Sequence, residues 1–165
     1  MTITKTLFST LVLTMLVLAD GPSLKMESLP PSVQAAIKAQ TTNATILNIT
    51  GEKENGGMRY EVEMNVNGKS RDVEFDANGK ILEIEEEADL SSIPAAAKTT
   101  IQTQTGKATF LKVEKVTKGS NISYVATLKS THGSNFELGV NAAGKLLFKN
   151  EPENDKEAAP KTSSR

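Results

Sequence analysis

The chain has no cysteine and no tryptophan, a single histidine, and only 4% aromatic residues. Without cysteine there can be no disulfide framework, no thiolate zinc site, no cysteine nucleophile and no lipid-anchored cysteine at the start of a mature chain. One histidine leaves a transition-metal centre without its usual nitrogen ligands. A serine nucleophile needs a base partner, and neither G-x-S-x-G nor Ser-x-x-Lys occurs in a credible setting. No glycine-rich loop of the phosphate-cradling kind occurs. No basic, aromatic-interleaved surface points to nucleic acid. These absences argue against an enzyme: no catalytic residue, no metal ligand and no cofactor is expected.

What remains is 165 residues, 24% charged and 38% apolar, as in an ordinary globular protein whose core is made of Ile, Val, Leu, Met and a few Phe and Tyr. The single long apolar run lies at the N-terminus. Lys5 precedes an uncharged stretch from Leu7 to Leu18, and Val17-Leu18-Ala19 supplies modest side chains for a cleavage site. The run is too short to span a bilayer, which takes roughly 20 residues. Residues 1–19 therefore read as a signal peptide cleaved after Ala19, leaving a periplasmic or extracellular protein that does not engage the membrane. Residues 20–28 read as a flexible leader. Residues 152–165, rich in Glu, Asp, Lys, Pro, Ala and Ser, read as a disordered tail.

Between them the chain repeats itself. Leu29-Pro30 is echoed by Ile93-Pro94. Ile37 matches Ile101, Ala44 matches Ala108, Ile49 matches Val113 and Tyr60 matches Tyr124, all at a spacing of 64. Asp76-Ala77-Asn78-Gly79-Lys80 then matches Asn141-Ala142-Ala143-Gly144-Lys145 at a spacing of 65. The one-residue slip falls where Asn67-Gly68 of the first copy becomes the longer Thr131-His132-Gly133-Ser134, which suits a hairpin tip. The copies are bounded as 29–88 and 89–151.

Each copy reads as α-β-β-β-β. After the proline, Val33, Ala36, Ile37 and Gln40, or Ala97, Ile101 and Gln104, form one stripe at helical spacing. Strands are expected over 45–52, 58–66, 69–75 and 81–86. In the second of these, Tyr60, Val62, Met64 and Val66 alternate with Arg59, Glu61, Glu63 and Asn65. Asn67-Gly68 and Asn78-Gly79 are hairpin signals that favour φ > 0 at both positions. The fold class is α+β: an antiparallel sheet with helices on one face and the other face open. The short link between copies favours one sheet of about eight strands over two separate units.

The segments Tyr60-Glu61-Val62 and Val73-Glu74-Phe75-Asp76-Ala77-Asn78-Gly79-Lys80-Ile81-Leu82, set after the Leu-Pro helix, resemble the PepSY-like group of bacterial secreted proteins, which is related in fold to beta-lactamase-inhibitor proteins. The resemblance covers both copies, the second more diverged. It implies a periplasmic or extracellular setting, and a sheet face that grips a partner protein. It brings no catalytic residues.

Charge is the remaining clue. Residues 20–89 hold 14 acidic and 7 basic side chains, and residues 90–165 hold 6 and 11. Arg59, Glu61, Glu63, Asp72 and Glu74 are expected on the open face of the first copy. Val125, Thr127 and Lys129, with Glu137, are expected on that of the second. All of these but Glu137 are the candidate partner-binding residues. The contrast in charge could steer a partner or help the copies pack. The run Glu83, Glu85, Glu86, Glu87, Asp89 reads as a solvated strand end, charged against edge pairing. A weak hard-cation site on the acidic face of a structural or stress-related envelope protein is the alternative. His132 sits in a hairpin tip, where solvent exposure is the ordinary outcome. The expected function is a non-enzymatic binding module, an inhibitor or regulator of a secreted or envelope protein.

Overall fold

The two Leu/Ile-Pro junctions start helices that could not persist alone. Helix α1 (Pro31–Gln40) and helix α2 (Ala95–Thr105) each span about three turns, below the length at which isolated helices hold in water. Pro30 and Pro94 are the residues just before the helices, and their carbonyls accept the first helical hydrogen bonds from Gln34 N and Lys98 N at 3.0 Å. The helices persist because each buries one stripe: Val33 and Ile37 in α1, Ala97 and Ile101 in α2, all fully inaccessible.

The computed structural model describes residues 22–54, 56–150 and 152. Residues 1–19, expected to be a signal peptide, and residues 153–165 of the expected tail lie outside the described residues. Eight strands form one antiparallel sheet in sequence order: β1 (Ala44–Glu54), β2 (Gly57–Val66), β3 (Lys69–Asp76), β4 (Ile81–Ala88), β5 (Thr109–Lys118), β6 (Asn121–Lys129), β7 (Asn135–Asn141) and β8 (Leu146–Lys149). The copies thus join as one sheet, through β4 pairing with β5. Each helix packs on the same face over its own cluster. The first holds Tyr60, Val62, Met64, Val73 and Phe75 around α1; the second holds Val113, Ala126, Leu128, Leu138 and Val140 around α2.

The charge contrast between copies has a direct structural use at this seam. Glu83 on β4 meets Lys118 on β5 at 2.7 Å. Glu86 lies 3.3 Å from Arg71 and 3.7 Å from Lys115.

The hairpins differ from the sequence expectation in one respect. Asn67 and Gly68 do have φ of 54° and 88°, the two-residue turn that matches strand twist. At Asn78-Gly79 only Gly79 is positive, at 78°. The reason is Asp76: its carboxylate accepts hydrogen bonds from Asn78 N at 2.8 Å and Lys80 N at 2.9 Å, which closes a longer turn and shifts the register between Glu74 and Phe75. Asn141 does the same for Lys145 N in the second copy. These turns dock on the helices: Ser32 Oγ donates to Ala77 O, and Thr100 Oγ1 donates to Gly144 O.

The stretch expected to be a flexible leader is better described, from Pro22 onward, as a covering strap. It holds a short 3-10 turn at Met26–Ser28, packs Leu24 and Met26 against the first core, and joins Leu24 N to Ile49 O at 2.7 Å. Its two apolar side chains outweigh its polar composition. Both copies also carry a β-bulge early in their first strand, around Leu47 and Leu111, and both leucines are exposed.

Candidate functional site: the open face of the sheet

Because side chains alternate along every strand, the register determines what shares the face opposite the helices. Across β1 to β4, Asn48, Glu63, Asp72 and Glu85 lie in one row, and Thr50, Glu61, Glu74 and Glu83 lie in the next. Across β4 to β7, Glu87, Glu114, Val125 and Gly139 are successive partners, and Lys112, Thr127 and Glu137 lie beside them. Carboxylates placed directly opposite one another normally destabilise a sheet. Here Glu61 faces Glu74, Glu63 faces Asp72, and Asp72 faces Glu85.

Some of this charge is matched. Arg59 bridges Glu54 at 2.7 Å and Glu74 at 2.6 Å, and the Glu74 hydrogen bond raises its basicity. Lys118 holds Glu83. Lys112 Nζ meets Glu114 Oε1 at 2.6 Å, beneath the middle of the face, where Glu114 is only 2% exposed. Burial works against the Lys112 charge, but the Glu114 hydrogen bond and the nearby Asp72 and Glu85 outweigh it and hold the ammonium. Among the described residues, Glu61, Asp72, Glu85 and Glu137 have no ion pair. Burial pushes Glu61 up to about 7, and Asp72 and Glu63 add repulsion. Burial and Glu114 push Asp72 to about 6, and burial with Glu114 and Glu83 pushes Glu85 to about 8. Glu137 is raised by burial and by Glu114.

The candidates Arg59, Glu61, Glu63, Asp72 and Glu74 stand together on β2 and β3. Val125 and Thr127 share the face but are not solvent-facing: they are 5% and 9% exposed. Short side chains in the middle of the sheet are overshadowed by longer neighbours, with the Phe148 ring occupying the space above Gly139, the cross-strand partner of Val125. The Thr127 hydroxyl is buried without a hydrogen-bond partner among the described residues. Lys129 lies exposed at the end of β6.

Sequence reasoning missed the centre of this face. Glu83, Glu85 and Glu87 do not decorate a sheet edge, because β4 is an interior strand. Glu114 and Lys112 were not singled out. Their alternation with Val113 was the available signal, once β5 is known to follow β4 in space. Carboxylate oxygens of Asp72, Glu85 and Glu114 lie within 4.8 Å of one another, close enough to share a hard cation. A calcium ion takes six to eight oxygens; three side chains and a competing Lys112 make a modest site. His132 sits in the exposed β6–β7 hairpin, 3.5 Å from Thr131 Oγ1, away from this face.

An open eight-stranded antiparallel sheet with two helices on one side, written as a tandem repeat, is an α+β fold built of two like units. The chain belongs to the PepSY-like, beta-lactamase-inhibitor-like family, which matches residues 18–69 and 58–147. Three solved structures share the fold. A protein assigned to the periplasm of Bacteroides eggerthii is 17% identical, with a TM-score of 0.62, over 78% of this chain and 92% of that one. A BLIP-like protein from Bacteroides fragilis is 22% identical, with a TM-score of 0.53, over 74% and 88%. A DUF2874-family protein from Bacteroides ovatus is 16% identical, with a TM-score of 0.59, over 74% and 86%. Among curated proteins none matches the chain. No helix among the described residues is long and apolar enough to cross a membrane.

Proposed function

We propose that this protein is a secreted, non-enzymatic binding module of the periplasm or cell exterior that grips a secreted or envelope protein through the open face of its sheet, and so inhibits or regulates it. The observation that carries this reading is the face itself. No helix or strand among the described residues covers it, yet it gathers crowded carboxylates from Glu61 on β2 to Glu137 on β7. Uncompensated surface charge of one sign steers and selects a partner more than it stabilises a fold. Capture from a periplasmic extract tests it. Wild type and Glu61→Lys/Glu63→Lys are expected to retain different partners, and identical partner lists would remove this face from consideration. The reversed charges relieve repulsion, so the variant is expected to fold.

The carboxylates of Asp72, Glu85 and Glu114 favour a second reading, weak binding of a hard cation by a structural or stress-related envelope protein. Calorimetric titration with calcium is the check. That reading predicts sub-millimolar affinity that Glu85→Gln abolishes, and heats no larger than dilution would dismiss it.

A further inference from the structure

We propose that the occupant of the open face is a cationic segment of a protein partner, presenting two or more Arg or Lys side chains to the stretch between Glu61 and Glu137. The proposal rests on the reading of this face as a binding surface and names the chemistry of what it receives.

Three observations carry it. First, the cations set among these carboxylates are already engaged: Arg59 with Glu54 and Glu74, Lys118 with Glu83, and Lys112 with Glu114. Glu61, Asp72, Glu85 and Glu137 are left over, and each is raised by burial among like charges. A partner cation removes that repulsion, so the complex gains what the free sheet gives up. Second, the Thr127 hydroxyl is buried beside this cluster, directly between Lys112 and Glu137 in the register, and has no partner. A buried hydroxyl without a partner is destabilising; a guanidinium or ammonium N–H that displaces the side chains closing over it supplies the missing donor. Third, the leftover carboxylates span six neighbouring strands, β2 to β7, roughly 24 Å at about 4.8 Å per strand spacing. One metal ion reaches ligands only at about 2.3–2.6 Å. It would serve Asp72, Glu85 and Glu114 and leave Glu61 and Glu137 as they are. Several side chains on a partner reach both ends.

The test uses the mature full chain and an acetylated Arg-Gly-Arg-Gly-Arg peptide, followed by calorimetry at pH 9 and low salt, above the raised values of Glu61 and Glu85. Wild type is expected to bind it, and the peptide with citrulline in place of arginine is expected not to bind. Glu61→Gln/Glu85→Gln should weaken the arginine peptide at least tenfold. Glu27→Gln/Asp89→Asn, which removes the same charge outside this stretch, should change it less than twofold. Equal weakening by both variants would reduce the effect to bulk charge and overturn the proposal. So would absence of arginine-peptide binding to wild type, with or without calcium binding that Glu85→Gln abolishes. Failure here, together with a partner list that Glu61→Lys/Glu63→Lys still alters, would remove the cationic segment and leave the binding face standing. Unaltered lists would remove the face itself.

Discussion

Gly79→Ala is expected to destabilise the protein by about 2–5 kcal/mol, seen as a lower urea midpoint at unchanged slope. Two costs combine. Gly79 has φ of 78°, a left-handed conformation that costs an ordinary residue about 1–2 kcal/mol. A methyl group there would also stand 2.6 Å from Ser32 O and 3.2 Å from Ala36 Cβ. Ser32 O belongs to the helix backbone, so α1 itself must shift, and overpacking of that kind costs about 1–3 kcal/mol. Gly68→Ala separates the two terms. Its φ is 88°, but nothing lies within 4 Å of the added carbon, so only the conformational cost of about 1–2 kcal/mol is expected. Gly144→Ala should match Gly79→Ala, because its methyl would stand 2.7 Å from Ala96 O. Equal losses at Gly68 and Gly79 would show that the turn is not clamped to the helix.

Stability is expected to fall as pH rises from 5 to 8, the reverse of the usual acid denaturation. Burial raises Glu61 to about 7, Asp72 to about 6 and Glu85 to about 8, and raises Glu137 as well. In the unfolded chain these groups ionise at their ordinary values near 4. Between those values and about 8, the folded protein holds protons that the unfolded chain has released, so unfolding becomes easier as pH rises. Asp76 works the other way: Lys80 N and Asn78 N lower it, so its contribution is lost only as pH falls below the ordinary aspartate range, outside this window. After discounting for partial solvent screening and for coupling among the groups, the loss between pH 5 and 8 is on the order of 2–4 kcal/mol. Thermal unfolding at the two pH values measures it. Glu85→Gln should flatten the profile and raise the midpoint at pH 8. A midpoint higher at pH 8 than at pH 5 would mean that these carboxylates ionise freely.

Local chemistry was legible in the sequence, and long-range neighbourhood only in part. The alternation from Tyr60 to Val66 defined which side of β2 faces the helix, and the Asn67-Gly68 turn defined its partner. The helix stripes at Val33/Ile37 and Ala97/Ile101 were readable because each depends only on spacing along one element. The burial of Thr127 escaped because its cross-strand neighbours, Lys112 and Glu137, lie on other strands. Glu85 was taken for an edge charge because nothing within 81–88 says that β5 will pair there. The leader was judged on its polar composition, although two apolar residues, Leu24 and Met26, suffice to dock it. The central carboxylate group draws Asp72 and Glu85 from one copy and Glu114 from the other, so no reading of a single repeat could assemble it.

The repeat pairs edge to edge, so each margin of the sheet is a place where a further copy could add. Beta-4, with eight residues, offers a full edge to the next copy, whereas its counterpart β8 has only four. At the opposite margin, Leu24 already occupies the carbonyl of Ile49 on β1. The abbreviated last strand and the strap act as terminators at the two ends of what would otherwise be an extensible ribbon. Without them, β1 of one molecule could add to β8 of another as β5 adds to β4, and the module would grow into a fibre.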